Sequence, residues 1–362
     1  MGETFDYNVL DAFKRLAQFE ARKTSGNIGF GMKEFRPSRG ESAYLVDAGE
    51  MYIAHVEEGL GTKNLVAEAL ERAGFGSWYD QIARDTVAMI VNDLITVGAL
   101  PVSVAMHVAV GSNDWFSDTL RVERLVQGWR AACDDAGCAW GGGETPTLKG
   151  IVMPDTALLS GSAWGLVKPK SRLLMGSNIR AGDAVVLLTS NGIHANGLSL
   201  ARKIAERLPE GYATELESGN DFGDELLKPT HIYVGLMRKL FDAGIDLHYA
   251  VNITGHGWRK LMRAGEPFSY EMISVPEVQE VFRFIQKMSG NTEREMYGDY
   301  NMGAGFALIL PRDEAGKVLR LVESSRLGYR ALMAGMVKKH ATRRVLIRPK
   351  NIEFTETDLQ VR

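Results

Sequence analysis

Glycine-bearing turns that join apolar strands to amphipathic helices constrain the fold of this chain more than any other feature. The 39 glycines are bunched in short clusters rather than spread along the 362 residues. In "LTSNGIHANGLSLARKI" (188–204), an apolar run ends at Thr189, two glycines follow, and a helical pattern begins near Leu198. "NITGHGWRK" (252–260) repeats that plan. Alternating strands and helices predict an α/β (α+β) architecture in both halves.

The length and the local patterns predict two domains. Apolar spacings of three and four residues predict helices over 79–97 and 120–136, and a third helix from Pro229 to Gly244, since proline suits a first turn and glycine a C-cap. A chain of 362 residues favours two domains, and the basic stretch 168–183 is the candidate linker. We therefore predict three parts, at 1–170 (first domain), 171–347 (second domain) and 348–362 (peripheral tail).

Charge and hydropathy exclude several classes of partner. The formal net charge is -3 and the isoelectric point is near 6.2, so we expect no nucleic-acid partner, because phosphate backbones recruit basic surfaces. No apolar run reaches the roughly 18 residues of a membrane span, and the first residues lack the apolar core of a signal peptide. Cys133 and Cys138 are too few for a disulfide framework and indicate reduced thiols in a cytoplasmic protein.

Acidic residues next to apolar faces or glycines are candidates for metal and phosphate chemistry. Asp85, Asn92 and Asp93 share one edge of the apolar helix predicted at 79–97, because seven residues bring the chain back to within about 20° of the starting direction. Such an edge fits either a magnesium or phosphate site or a pair of solvated carboxylates. Glu58 precedes two glycines in "EEGLGTK", and Glu144 follows three in "WGGGET". Each of these two turns fits a metal ligand or an ordinary turn.

The two glycine loops of the second half are candidate anion sites. In "SNGIHANG", Asn196 is a candidate cap for the following helix, and a glycine loop entering a helix N-terminus suits an anion. His194 fits a phosphate donor, an acid/base group or a surface histidine. Thr254 opens the equivalent turn in "TGHG". Two such turns predict a ligand that carries its own phosphate.

Taken in order, these stretches resemble the aminoimidazole ribonucleotide (AIR) synthetase family, also called phosphoribosylformylglycinamidine cyclo-ligases. The family patterns are DGVGTK, D-x-V-A-M-x-V-N-D-[LI], G-G-E-T, S-S-G-x-H-S-N-G-x-S-L-x-R-K, L-T-G-G-G and M-[YF]-x-x-[FY]-N-x-G-x-G. The stretches similar to them are, in the same order, "EGLGTK" (58–63), "DTVAMIVNDL" (85–94), "GGET" (142–145), "SNGIHANGLSLARK" (190–203), "ITGHG" (253–257) and "MYGDYNMGAG" (296–305). The ordered set covers roughly residues 26–310 and is highly specific for the superfamily.

The resemblance implies an enzyme that uses ATP and Mg²⁺ on a small phosphorylated substrate. It implies a homodimer in which the first-domain sheets form a barrel, and a second domain built on a mixed sheet with flanking helices. The activity implied is ATP-dependent closure of formylglycinamidine ribonucleotide to aminoimidazole ribonucleotide in purine biosynthesis, through phosphorylation of the formyl oxygen.

Site residues are carried over from the same resemblance. The implied metal ligands are Glu58, Asp93 and Glu144. The implied catalytic residues are Asp93, Lys63 and His194. The implied ATP-binding residues are Gly26, Gly29, Phe30, Gly31, Gly59, Gly61, Thr62, Lys63, Asp85, Asn92, Gly142, Gly143 and Thr145. The implied substrate-binding residues are Ser190, Asn191, Gly192, His194, Asn196, Gly197, Thr254, Gly255, Gly257 and Asn301.

Several residues depart from the family pattern and keep other activities open. Glu58 stands where the family has aspartate, and Met106 and His107 lie in a strand where the family has an aspartate and tyrosines. Pro146-Thr147-Leu148-Lys149 replaces the family's A-E-M-P. The alternatives are a small-molecule kinase similar to thiamine-phosphate kinase, and a nucleotide-binding relative that has lost catalysis.

Overall fold

The computed structural model describes residues 7–359, with side chains from residue 12 onward. The ends of the predicted ranges, 1–6 and 360–362, lie outside the described residues. Helices of the first unit are α1 (Tyr7–Arg22), α2 (Lys63–Arg72), α3 (Tyr79–Ile95) and α4 (Thr119–Ala136). Its strands are β1 (Lys33–Glu34), β2 (Tyr44–Asp47), β3 (Tyr52–Gly59), β4 (Leu100–Val110), β5 (Ala139–Glu144) and β6 (Ala157–Val167).

The first unit is a six-stranded sheet with helices on one face. The strand order is β1-β2-β3-β6-β4-β5, and only the β4–β5 pair is parallel. α3 packs against β3 and β6, and α4 packs on α3. Alternate residues of β3, such as Ala54 and Val56, are buried beneath α3, while His55 and Glu57 between them are exposed on the other face. We call these the inner and outer faces of the first sheet.

The second unit is a seven-stranded mixed sheet with flanking helices. Its strands are β7 (Ala184–Thr189), β8 (Tyr249–Asn252), β9 (Phe268–Met272), β10 (Ala304–Leu310), β11 (Ala331–Lys339), β12 (Arg344–Ile347) and β13 (Ile352–Thr355). Its helices are α5 (Leu198–Ala205), α6 (Phe222–Leu227), α7 (Val234–Asp242), α8 (Glu280–Ser289), α9 (Glu293–Asp299) and α10 (Arg312–Ser325). The order is β13-β12-β9-β11-β7-β10-β8. Every residue of β10 is buried, as a central strand covered on both faces requires.

Two sequence predictions differ from the structure. The helix predicted from Pro229 begins instead at Val234, because Thr230 is held by Asp85 of α3 and residues 228–233 form an irregular segment. The tail expected to be peripheral beyond residue 347 includes β13, which does lie at the sheet edge. Its Phe354 is only 1% exposed, however, so this strand is part of the second core.

The two units pack on each other through α3. This helix contacts α7 and β8 of the second unit as well as its own sheet. The break between the two sheets falls between Val167 and Ala184, within the stretch predicted as a linker. Across residues 7–359, none of the helices combines the length and apolarity needed to cross a bilayer.

Candidate functional site

Two acidic side chains meet where the first sheet faces the second unit. Glu58 is near the end of β3 on the inner face, and Asp93 is on α3, where it is 7% exposed. Burial together with the charge of Asp93 raises the pKa of Glu58 to about 7. From the second unit, Asn252 Nδ2 donates to Asp93 Oδ1 at 2.7 Å. The acid pair therefore lies at the contact between the units.

A lysine from the second unit accompanies the acid pair. Lys260 Nζ donates to Thr254 Oγ1 at 2.5 Å. Burial lowers the pKa of Lys260, while the charges of Asp93 and Glu58 act in the opposite direction. The sequence reasoning missed Lys260, although it lies in the quoted "NITGHGWRK". The five residues Glu58, Asp93, Asn252, Thr254 and Lys260 are called the carboxylate cluster below.

The chemistry of the acid pair fits Mg²⁺. Two carboxylates pressed together in a partly buried site repel each other, and a divalent cation with oxygen ligands relieves that repulsion. Within residues 7–359 there is no group of three His, Cys, Asp or Glu side chains arranged to hold a metal. Glu58 and Asp93 would thus supply two ligands, and water or phosphate oxygens the others.

Glu144, the third predicted metal ligand, is not brought to this cluster within one chain. It is exposed at the end of edge strand β5 and is paired in register with His107, on the outer face. Glu58 is three strands away along the row that runs through Gly161, Met106 and Gly143. Three strand spacings amount to about 14 Å.

The second half of the "SNGIHANG" loop approaches α3 beside the cluster. Asn196 Nδ2 lies 3.9 Å from Met89 Sδ, one turn before Asp93 on α3. Gly197, and not Asn196 as predicted, occupies the N-cap of α5, with φ of 81°. A Cβ at Gly197 would lie 2.1 Å from the ring of Tyr300, so only glycine fits there. Gly255 faces Asn196, which places the two predicted substrate loops side by side.

The first half of the same loop is held by internal hydrogen bonds. Ser190 Oγ donates to Asn301 Oδ1 at 2.7 Å, and Asn301 Nδ2 donates to the Gly192 carbonyl at 2.9 Å. Asn191 Nδ2 donates to the Pro229 carbonyl at 2.9 Å. These predicted substrate-binding residues shape the loop in the structure.

His194 lies beneath this loop and is not a surface residue. It is 3% exposed with φ of 59°, and its ring centroid is 5.9 Å from that of His231. Burial, with the nearby charges of His231 and Lys63, lowers the pKa of His194 well below its usual range. The imidazole is therefore neutral near pH 7, and its Nε2 has no hydrogen-bond partner in the described part of the chain.

Three predicted ATP-site residues lie in the contact between the two units. Lys63 Nζ is 2.7 Å from Asp85 Oδ2 and donates to the Lys228 carbonyl at 2.7 Å, and both side chains are fully buried. Asp85 Oδ1 accepts the Thr230 N–H at 2.8 Å. Asn92 Nδ2 donates to the His231 carbonyl at 2.8 Å.

The predicted glycine turns of the first unit are open to solvent. The 26–31 loop is exposed, and Phe30 within it is 98% exposed. Thr62 precedes α2 and makes no side-chain cap. The other predicted ATP-binding positions at exposed turns or strand ends are Gly26, Gly29, Gly31, Gly59, Gly61, Gly142, Gly143 and Thr145.

Comparison with solved structures places this fold among known ones. A structure of a HypE–HypF complex matches with a TM-score of 0.61 at 18% identity, over 87% of this chain and 92% of that one. T. maritima PurL complexed with ATP matches with a TM-score of 0.56 at 14% identity, over 87% of this chain and 45% of that one. These likenesses concern the fold.

Comparison with curated protein sequences gives relatives of higher sequence identity. The chain is 36% identical over 302 residues to the phosphoribosylformylglycinamidine cyclo-ligase of Methanothermobacter thermautotrophicus, over 82% of this chain and 83% of the relative. It is 37% identical over 326 residues to the enzyme of the same name from Thermococcus kodakarensis, over 85% of this chain and 90% of the relative. The models of the N-terminal and C-terminal domains of AIR synthase related proteins match residues 40–167 and 180–342. With both domains matched in order and the two units folded as separate sheets, the chain belongs to the AIR synthase related family.

Proposed function

We propose that this protein is an ATP-dependent phosphoribosylformylglycinamidine cyclo-ligase of purine biosynthesis. The observation that carries the proposal is the carboxylate cluster beside the two glycine loops. It is supported by relatives that bear that name and match this chain over most of their length. The alternative kinase activity is not favoured, since those relatives are cyclo-ligases.

The chemistry transfers the γ-phosphoryl group of ATP to the formyl oxygen of the substrate and releases ADP. An amidine nitrogen then attacks the former formyl carbon, the C–O bond breaks, and inorganic phosphate leaves with that oxygen. A hydroxide-like leaving group is thereby replaced by phosphate. Mg²⁺, when bound, would neutralise phosphate charge. Glu58 and Asp93 would hold it, while Asn252 fixes the orientation of Asp93.

The two loops of the second unit would position the substrate. Asn196 and Gly255 lie beside the carboxylate cluster, which includes Thr254 of the same loop as Gly255, so a phosphorylated substrate bound there would lie close to ATP. Lys260 offers a positive charge at the same place. His194 would act by shaping the loop, because its ring is buried beneath it.

A homodimer through the outer face of the first sheet is part of the proposal. That face exposes Leu158 and Trp164, which are 51% and 43% accessible on a central strand. It also carries Glu144, which a partner chain could bring toward a second cluster. Sedimentation should give a dimer for the wild type and a monomer for Trp164→Arg, whereas a monomeric wild type contradicts this part. We also propose a cytoplasmic location, where ATP is available.

The test is a direct assay with purified protein, Mg-ATP and formylglycinamidine ribonucleotide. ADP and aminoimidazole ribonucleotide should form together and only with that substrate. Glu58→Gln and Asp93→Asn should abolish turnover and weaken Mg²⁺ binding measured by calorimetry. Glu50→Gln, an exposed carboxylate on the turn before β3, should leave both unchanged. ADP formation with another acceptor, and none with this substrate, would refute the proposal.

A further inference from the structure

A cavity of about 700 Å³ is lined by Ser190 and Asn191, the first two residues of the "SNGIHANG" loop. It opens to solvent, and its walls are the end of β7, the segment at His231, the C-terminal half of α10 and the turn that leads into β11. Its volume is in the range of small-molecule sites. None of the five residues of the carboxylate cluster lines it.

We propose that this cavity binds a small molecule that carries a planar nitrogen heterocycle and one anionic group. This site goes beyond the proposed cyclo-ligase activity. A nucleoside monophosphate and a heterocyclic carboxylate share this chemistry, and the experiment below separates them.

The walls divide into an apolar side and a polar, aromatic side. Leu319, Val322 and Leu327 form the apolar wall from α10 and the turn after it. His231 and Tyr329 also line the cavity, and their ring centroids are 5.2 Å apart. A flat ring between aliphatic and aromatic side chains buries apolar surface on both of its faces.

Two arginines define the charge at the cavity mouth. Arg326 and Arg330 are exposed, and neither guanidinium is in an ion pair within residues 7–359. Glu323 is the one acidic side chain in the lining, so the mouth carries a net positive charge. The carbonyl end of α10 points to this region, so an anion there has to be bound by the guanidiniums rather than by backbone N–H groups.

Two polar atoms in the lining lack hydrogen-bond partners in the described part of the chain. They are the hydroxyl of Tyr329, a residue only 8% exposed, and Asn191 Oδ1. The Asn191 side chain is fixed because its Nδ2 donates to the Pro229 carbonyl, which leaves its oxygen as an acceptor. Native proteins rarely leave such groups unpaired. Both atoms have almost no accessible surface, so a ligand would reach them only after a small movement of the neighbouring side chains. A ring N–H would then satisfy Asn191, and a ring nitrogen or carbonyl would accept from Tyr329.

The cavity is connected to the interface between the units. The His231 carbonyl accepts from Asn92, which is next to Asp93 on α3. A ligand that contacts His231 would thus stabilise the segment that ties α7 to α3. Occupancy should raise the temperature of unfolding without requiring turnover.

The experiment is calorimetric titration of the full chain with three probes: adenosine 5′-monophosphate, orotate and inorganic phosphate. At least one ring-bearing probe should bind with a dissociation constant below about 1 mM, and phosphate alone should bind more weakly. A preference for either ring-bearing probe identifies the class. Failure of both to saturate overturns the proposal.

Variants place the binding and separate it from catalysis. The double variant Arg326→Ala/Arg330→Ala should lose about tenfold or more in affinity, as loss of a charge-assisted contact predicts. Tyr329→Phe should weaken the ring-bearing probe only. Arg312→Ala, at the exposed opposite end of α10, and Glu58→Gln should bind as the wild type does. Unchanged affinity in the double variant overturns the proposal. The cyclo-ligase turnover of this variant should equal that of the wild type whether or not its affinity for the probes changes.

Discussion

Replacing Lys63 with methionine tests whether this lysine holds the two units together or faces a phosphate. In the structure Lys63 Nζ bonds to Asp85 Oδ2 and to the Lys228 carbonyl, each at 2.7 Å, with no exposure of either charged side chain. Methionine fills a similar volume but leaves the Asp85 carboxylate buried without its counter-ion. Thr230 would still donate two hydrogen bonds to that carboxylate.

The expected loss in the free energy of unfolding is about 3–5 kcal/mol, the usual cost of removing one partner of a buried ion pair. Chemical denaturation followed by circular dichroism measures this loss. Arg130→Met is the matched control, because Arg130 is paired with Asp134 on the surface of α4 with 67% of its side chain exposed. That control should change stability by less than about 0.5 kcal/mol.

A second measurement separates the two roles of Lys63. If the structural role holds, the double variant Lys63→Met/Asp85→Leu should recover much of the lost stability, because no buried charge is left unpaired. If Lys63→Met instead unfolds like the wild type but binds ATP far more weakly, the interface argument is refuted and the phosphate role stands.

Three further perturbations address the cluster, the loop and the cavity. Lys260→Met should raise the pKa of Glu58 above about 7 in carbon NMR titrations, since the charge of Lys260 lowers this pKa. Lys260→Arg keeps the charge and should not raise it. An unchanged pKa in the methionine variant contradicts the placement of Lys260 beside Glu58. Gly197→Ala should lower the free energy of unfolding, measured with urea, by at least about 2 kcal/mol. Gly182→Ala should lower it by less, because both glycines have positive φ but only Gly197 faces a ring, that of Tyr300. Equal losses in the two variants contradict that contact. Burial lowers the pKa of His231 to about 4, so its contribution to stability is complete above about pH 6.5 and is lost as pH falls toward 4. In thermal unfolding, His231→Phe should reduce the loss of stability over this pH range. An unchanged pH dependence would assign that loss to other groups.

Local sequence signals predict the elements well and the contacts between them poorly. The helix predicted at 79–97 is α3 at Tyr79–Ile95, because a long apolar periodicity is a strong signal. The sequence predicted Glu58 and Asp93 as partners only through the family resemblance, since 35 residues separate them. Lys260 was missed because nothing local marks a lysine whose pKa is influenced by the charges of Glu58 and Asp93 in another domain.

The placements of Glu144 and Pro229 could not be predicted from local sequence signals. For Glu144, the face of the sheet depends on strand parity, and a bulge at Gly141 of β5, opposite Val104 and Ala105, obscures that parity. For Pro229, a good first-turn residue precedes an irregular segment because Thr230 bonds to Asp85 of the other unit. In the second case a tertiary contact overrides the local preference.

The polar edge of α3 explains why one helix serves both the packing of the units and the candidate chemistry. The sequence offered a choice between ligands and solvated carboxylates for Asp85, Asn92 and Asp93. In the structure Asp85 and Asn92 instead bond to the segment before α7, while Asp93 is held by Asn252 and faces Glu58. Because these three residues lie on one rigid helix, a displacement of the second unit that strains the first two contacts must also move Asn252 away from Asp93. The geometry of the carboxylate cluster is therefore set by how the two units pack, and a variant that loosens that packing should lose metal affinity even where no metal ligand has been changed.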